Sequence, residues 1–164
     1  MPAVPVEIER KFYLAGPPPF LAKLKPVPIR QGYLAIEKDG NEVRIRDREE
    51  VYWLTVKFPG AMERIEVEFA LSPIDFDRLW PLTLGRRVIK ERYLHSEQGY
   101  QVEIDRYREA LEGLYIAEVE FSSREAARDF VIPGWMGVEI TENPHFKNKS
   151  LATLPGFDAV IPFL

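Results

Sequence analysis

Charged residues recur at every second position of this chain, in run after run. Glu7, Glu9 and Lys11; Arg44, Arg46 and Arg48; Thr55 and Lys57; Arg64, Glu66 and Glu68; Lys90 and Arg92; Glu103 and Asp105; and Glu118 and Glu120 all alternate with apolar residues. On a β-strand, successive side chains point to opposite faces, so each run gathers its charges on one face. That face carries eight acids (Glu7, Glu9, Glu66, Glu68, Glu103, Asp105, Glu118, Glu120) and eight bases (Lys11, Arg44, Arg46, Arg48, Lys57, Arg64, Lys90, Arg92). A solvent-facing sheet would also alternate. Repetition over so many consecutive strands suits instead a ligand that is itself polyanionic and metal-bound. Arginine and lysine neutralise phosphoryl oxygens, arginine bidentately, while paired carboxylates hold Mg²⁺ or Mn²⁺ through hard oxygen donors.

These residues need strands to carry them. Period-two patterning predicts strands at Glu7–Leu14, Gln31–Lys38, Glu42–Arg48, Val51–Phe58 and Glu63–Phe69, an antiparallel meander. Further strands are expected at Arg86–Leu94, Tyr100–Tyr107 and Tyr115–Phe121, with Val138–Thr141 after them. Prolines 17, 18, 19, 26 and 28 predict a loop, or a short helix around Phe20–Leu24, before the second strand. Ser72-Pro73-Ile74-Asp75 reads as a helix start, with serine as cap and proline at the first helical position; Ser122–Phe130 reads as a second short helix. Closing such a sheet would remove its edges and form a channel whose charged interior must stay hydrated or occupied.

Composition narrows the chemistry. A length of 164 residues fits one domain, 1–164. The chain has no cysteine and only two histidines, His95 and His145, which excludes disulfides, thiolate nucleophiles and three-histidine metal sites. Any metal must be held by oxygen. With Lys+Arg 22 against Asp+Glu 26, the net charge of −4 gives no global attraction to nucleic acid or an acidic membrane. No apolar run approaches the roughly 20 residues that span a bilayer, and a cytoplasmic location is expected. No glycine-rich phosphate loop is present. Apolar outer strand faces make a homodimer an expectation.

The motif Glu7-Ile8-Glu9-Arg10-Lys11 resembles the ExExK opening of the CYTH superfamily, the triphosphate tunnel metalloenzymes. The resemblance continues through Gln31-Gly32-Tyr33-Leu34, Val43-Arg44-Ile45-Arg46, Thr55-Val56-Lys57, Glu66-Val67-Glu68, Ile89-Lys90-Glu91-Arg92, Glu103-Ile104-Asp105 and Glu118-Val119-Glu120, almost the whole chain in one order. It implies a mainly β fold, an eight-stranded antiparallel closed barrel or tunnel with a few flanking helices. It also implies hydrolysis of inorganic tripolyphosphate to pyrophosphate and orthophosphate. By the same resemblance, Glu7, Glu9, Glu118 and Glu120 would hold the principal divalent ion. Glu66 and Glu68, helped by Asp105, would position a second ion or the attacking water. Lys11, Arg44, Arg46, Lys57, Lys90 and Arg92 would grip the phosphates, Lys90 also stabilising or protonating the leaving phosphate. Tyr33 would act at the tunnel mouth or assist the base.

After Glu139-Ile140-Thr141 the chain departs from the family pattern: Asn143 cannot supply carboxylate charge and Phe146 lacks a hydroxyl, while Asn148 matches and Lys149 adds a phosphate contact. Two other functions compete. One keeps the tunnel for an organic triphosphate (thiamine triphosphate, a nucleoside triphosphate, or ATP cyclised to cAMP), with Tyr33, Trp53 or Trp135 touching the organic group. The other is a non-catalytic polyphosphate binder, which the carboxylate pairs oppose because, without a metal, they would repel phosphate.

Overall fold

The structure is a computed structural model describing residues 8–59 and 64–164. Glu7, an expected metal ligand, lies outside the described residues, as does Glu63, the expected first residue of the fifth strand. The chain forms β1 (Ile8–Leu14), β2 (Val27–Ile36), β3 (Glu42–Arg48), β4 (Val51–Pro59), β5 (Arg64–Leu71), α1 (Pro73–Leu79), β6 (Arg87–Glu97), β7 (Tyr100–Tyr107), β8 (Tyr115–Phe121), α2 (Arg124–Asp129) and α3 (Asn148–Leu151), with short 3₁₀ turns between them. The helix α1 starts as expected, with Ser72 as its cap, whereas α2 starts at Arg124, later than the expected Ser122, with Ser123 as its cap. Ser72 Oγ accepts from the Asp75 amide at 3.1 Å, and Ser123 Oγ from the Ala126 amide at 3.0 Å, each satisfying an orphan donor of the first turn.

All strands join one antiparallel sheet in the order β1-β8-β7-β6-β2-β3-β4-β5. Strands β2 to β5 make the expected meander, but β1 does not pair with β2. It lies at the far edge, beside β8, with Lys11 opposite Glu118 and Glu9 opposite Glu120. Strand β2 also begins earlier than expected, at Val27, and runs through Pro28. Proline is tolerated there because β3 joins the ladder only from Ile29, so residue 28 has a neighbour on one side alone, Glu91 of β6.

Among the described residues the sheet does not close into the expected barrel. Closure would require β1 to meet β5, and that edge of β1 is already taken by the C-terminal segment. Tyr13 N–H donates to Val138 O at 2.8 Å, Ile140 N–H to Lys11 O at 2.8 Å, and Lys11 N–H to Thr141 Oγ1 at 3.0 Å. Val138–Thr141 is therefore no sheet strand; it contributes a single bridge, Glu139 to Phe12. Gly137 permits the approach, since a Cβ there would lie 2.4 Å from Tyr13 O. Arg10 locks it by donating to both Glu139 oxygens, at 2.8 and 2.7 Å, and to Ala127 O at 2.9 Å. This arginine is a clamp rather than the solvated residue its parity suggests.

The core lies in two parts. On the outer face of β1, β6, β7 and β8, Phe12, Ile104, Val119 and Phe121 pack under Phe130 and Met136. The second part occupies one end of the charged face. Two residues beyond the charged positions that face turns apolar, at Tyr13, Tyr33, Val88, Tyr107 and Ile116, and Ile140, Phe146, Leu151 and Val160 cover it. The C-terminal segment thus plugs one end of the site, and Phe146 serves by its apolar surface. Among the described residues no helix is long and apolar enough to cross a membrane.

Candidate functional site

The register places the expected residues on one face, and burial shows how strongly that face is enclosed. Lys90 and Asp105 are 1% and 0% exposed, Arg92 and Arg44 8% and 9%. So much buried charge is tolerable only if paired. Asp105 supplies the pairing at the centre: it accepts from Lys90 Nζ at 2.5 Å and from Arg92 Nε and Nη2 at 2.7 Å each. Burial alone would raise the Asp105 carboxyl, but Lys90 and Arg92 outweigh it and hold it well below the usual carboxylate range. Burial also dominates at Lys90, pushing the ammonium down to about 8 against the attraction of Asp105. At Arg92 burial is outweighed, because Asp105, Glu103 and Glu118 keep the guanidinium charged. The expected metal-supporting role of Asp105 thus meets a carboxylate whose two oxygens already hold two cations.

Acids collect on β7, β8 and β1. Glu9, Glu103, Glu118 and Glu120 line a cavity of about 360 Å³. Lys11 Nζ stands 3.2 Å from Glu9 Oε1 and 3.2 Å from Glu118 Oε1, and burial of this ammonium is outweighed by the two carboxylates, which raise its pKa. Burial raises the pKa of Glu103, against the pull of Arg92, with which it forms an ion pair.

Bases collect on β6 and β3, joined by β2. Arg46 Nε donates to Gln31 Oε1 at 2.9 Å, and Gln31 Nε2 to the Tyr33 hydroxyl at 2.9 Å. Burial, with Arg44 and Arg92 nearby, pushes Arg46 down to about 10. Among the described residues Arg44 Nε is buried and finds no hydrogen-bond acceptor, a donor fit for an anion. Burial raises the Tyr33 hydroxyl, so it stays a neutral phenol at physiological pH. On the far strands Lys57 Nζ is 2.9 Å from Glu66 Oε2, and Thr55 Oγ1 donates to Glu68 Oε1 at 3.1 Å. Glu66 and Glu68 are exposed, near the open edge of the sheet.

A divalent cation is what the family resemblance implies, and the donors can be tested for it. Among the described residues no group of three or more acidic or histidine side chains is already gathered as a metal site. The donor chemistry fits nonetheless. One ammonium centre reaches Glu9 and Glu118 equally, so a single cation can be shared by both, and Glu120 lines the same cavity.

No protein-family profile matches the chain. Individual relatives do. An inorganic triphosphatase of Nitrosomonas europaea is 43% identical over 147 residues, covering 89% of this chain and 96% of that protein. The chain belongs to the CYTH family. A second relative, an inorganic triphosphatase of Acetivibrio thermocellus, is 32% identical over 151 residues, covering 91% and 94% of the two chains. A crystal structure of an inorganic triphosphatase superposes with a TM-score of 0.76 at 40% identity, over 92% of this chain and 97% of that one. A Hippeastrum protein at 16% identity, TM-score 0.51, covers 75% and 83% and shares the fold alone.

Within this CYTH chain, parity could have found three residues that the sequence reading left without a role. Gln31 lies two before Tyr33, Glu42 two before Arg44, and Tyr107 two after Asp105, all on the charged face. Tyr107, fully enclosed, donates to Asn148 Oδ1 at 2.9 Å and stands beneath Lys90, whose Nζ is 5.5 Å from the ring centroid. Lys149 reaches Glu42 at 3.5 Å. Of the aromatic residues expected to touch an organic group, Trp135 instead packs edge-on to Phe20 and donates to Glu97 Oε2 at 3.1 Å, among the outer core residues.

Proposed function

We propose that this protein hydrolyses inorganic tripolyphosphate to pyrophosphate and orthophosphate, with Mg²⁺ or Mn²⁺ held by Glu9, Glu118 and Glu120 together with Glu7. The observation that carries this reading is the pairing of an acidic cavity with a row of buried cations on one face, in a chain 43% identical to an inorganic triphosphatase. When bound, the divalent ion supplies charge neutralisation at phosphoryl oxygens and orients water for attack on phosphorus. Arg44, Arg46, Lys57 and Arg92 bind the remaining oxygens, and the acceptor-free Arg44 Nε needs no existing bond broken to do so. Lys90 holds a proton at Nζ that it can pass to the departing phosphate, being far more acidic than an ordinary lysine. Glu66, whose carboxyl burial would raise but Lys57 lowers, orients the attacking water together with Glu68, which accepts from Thr55 Oγ1. Tyr33 keeps its proton and fixes Gln31, which in turn aims Arg46.

Phosphate release should be measured for tripolyphosphate, pyrophosphate, ATP and thiamine triphosphate, each with Mg²⁺, Mn²⁺ or excess chelator. Fast, chelator-sensitive turnover of tripolyphosphate is expected, with little on ATP. Glu9→Ala should abolish it while leaving the circular dichroism spectrum intact. Preference for an organic triphosphate would overturn the substrate, and full activity in Glu9→Ala the metal role.

A further inference from the structure

The acids and bases of the site are paired with one another, and one pairing differs from the rest. Lys90 and Arg92 are tied to a fully buried aspartate between them, Arg92 further to Glu103 and at 3.9 Å to Glu118, and Lys57 to one glutamate. Lys11 instead has no aspartate to anchor it, and its ammonium stands at equal distance from Glu9 on its own strand and Glu118 on β8. Those are two of the carboxylates that line the acidic cavity. An ammonium there and a divalent cation bind the same oxygens through the same attraction, so they compete. The stem of Lys11 is long and unbranched and its side chain is 19% exposed, so it can turn without disturbing the backbone.

Resting on the triphosphatase reading, we propose that Lys11 is an internal counter-ion whose displacement couples arrival of the divalent cation to capture of the triphosphate. The incoming cation takes Glu9 and Glu118 and releases the ammonium, which is then free to take a phosphoryl oxygen of the substrate. Each ligand thereby assists the other: triphosphate draws Lys11 off the carboxylates, and the metal frees Lys11 for triphosphate. A cation alone must first break two ion pairs, so its affinity without substrate is held down.

The test is Mn²⁺ binding to chelator-treated protein by titration calorimetry, without any phosphate. Lys11→Gln should bind Mn²⁺ at least about tenfold more tightly than wild type, because a competing unit charge next to both ligands is gone. It should also show a larger rise in melting temperature on adding Mn²⁺. Equal or weaker binding than wild type overturns the coupling while leaving the metal site intact; failure of both proteins to bind Mn²⁺ overturns the site reading as well. Should Lys11→Gln not fold without metal, wild-type protein with ¹³C-labelled lysine decides. The Lys11 ε-methylene signal, assigned by its loss in Lys11→Arg, should shift as Mg²⁺ alone saturates the site, and a signal that stays in place overturns the proposal.

Discussion

Asp105→Asn isolates the charge at the centre of the site, because the amide keeps the size of the carboxylate. Asp105 is fully buried and accepts three charge-assisted bonds, from Lys90 Nζ at 2.5 Å and from Arg92 Nε and Nη2 at 2.7 Å. Asparagine can accept on one atom only, and its NH₂ would face a cation. Removing one partner of a buried ion pair costs about 3–5 kcal/mol, since the uncompensated charge stays buried. For a chain of this length about 1 kcal/mol moves the midpoint by roughly 2–4 °C, so melting should fall by about 6–20 °C at pH 7. Urea unfolding followed by circular dichroism gives the free energy directly, and an unchanged slope would show that the unfolded state is not responsible. Tripolyphosphate with excess chelator should raise the melting temperature of the variant more than that of wild type, because it returns negative charge to Lys90 and Arg92. A loss below about 1 kcal/mol would refute the reasoning, since exposed pairs cost that little.

Burial pushes Lys90 down to about 8, and a base that loses its proton loses its charge, so kcat/KM for tripolyphosphate should fall as pH rises through that value. Lys90→Arg should be slower but lack this alkaline limb; an identical limb in the variant would sink the assignment. Arg46→Lys surrenders the planar fork aligned by Gln31 and should raise KM about tenfold with a smaller change in kcat, read from initial rates. Gly137→Ala would put a methyl 2.4 Å from Tyr13 O, so it should cost about 1–3 kcal/mol and speed hydrogen exchange at the Ile140 amide, leaving exchange at Val102 slow.

Alternation in the sequence was enough to say which side chains share a face, because the period of a strand is strict. Lys90, Arg92, Asp105, Glu118 and Glu120 all lie where parity puts them, and so do Gln31 and Tyr107, which parity would also have found. Alternation says nothing about which strands are neighbours. Strand β1 carries the pattern that a meander requires, yet its partner is β8, more than a hundred residues away. Nor does it say what takes an edge: Val138–Thr141 alternates like a strand, yet it holds β1 through two backbone bonds, the Thr141 hydroxyl and the Arg10–Glu139 pair. That contact, invisible in composition, is why the expected barrel stays open. The plug was hidden for a related reason. Phe146 and Val160 sit in or beside single 3₁₀ turns, and Leu151 ends a helix of four residues, too short for a helical period to show which face is buried.

Strand order turns a list of charges into a polarity. The acids of β1, β8 and β7 are contiguous in the sheet, and the bases of β6 and β3 follow, separated only by β2. The boundary falls between β7 and β6, where Asp105 stands opposite Arg92 and holds both it and Lys90. On the proposed function, Glu9 and Glu118 would hold the cation, and Lys90, Arg92 and Arg46 would take the phosphoryl oxygens beyond it, so the face would distinguish the two ways of laying down a metal-bound triphosphate. The reverse orientation would set phosphate oxygens against four carboxylates and the metal against guanidinium groups, each repulsion acting where burial weakens screening.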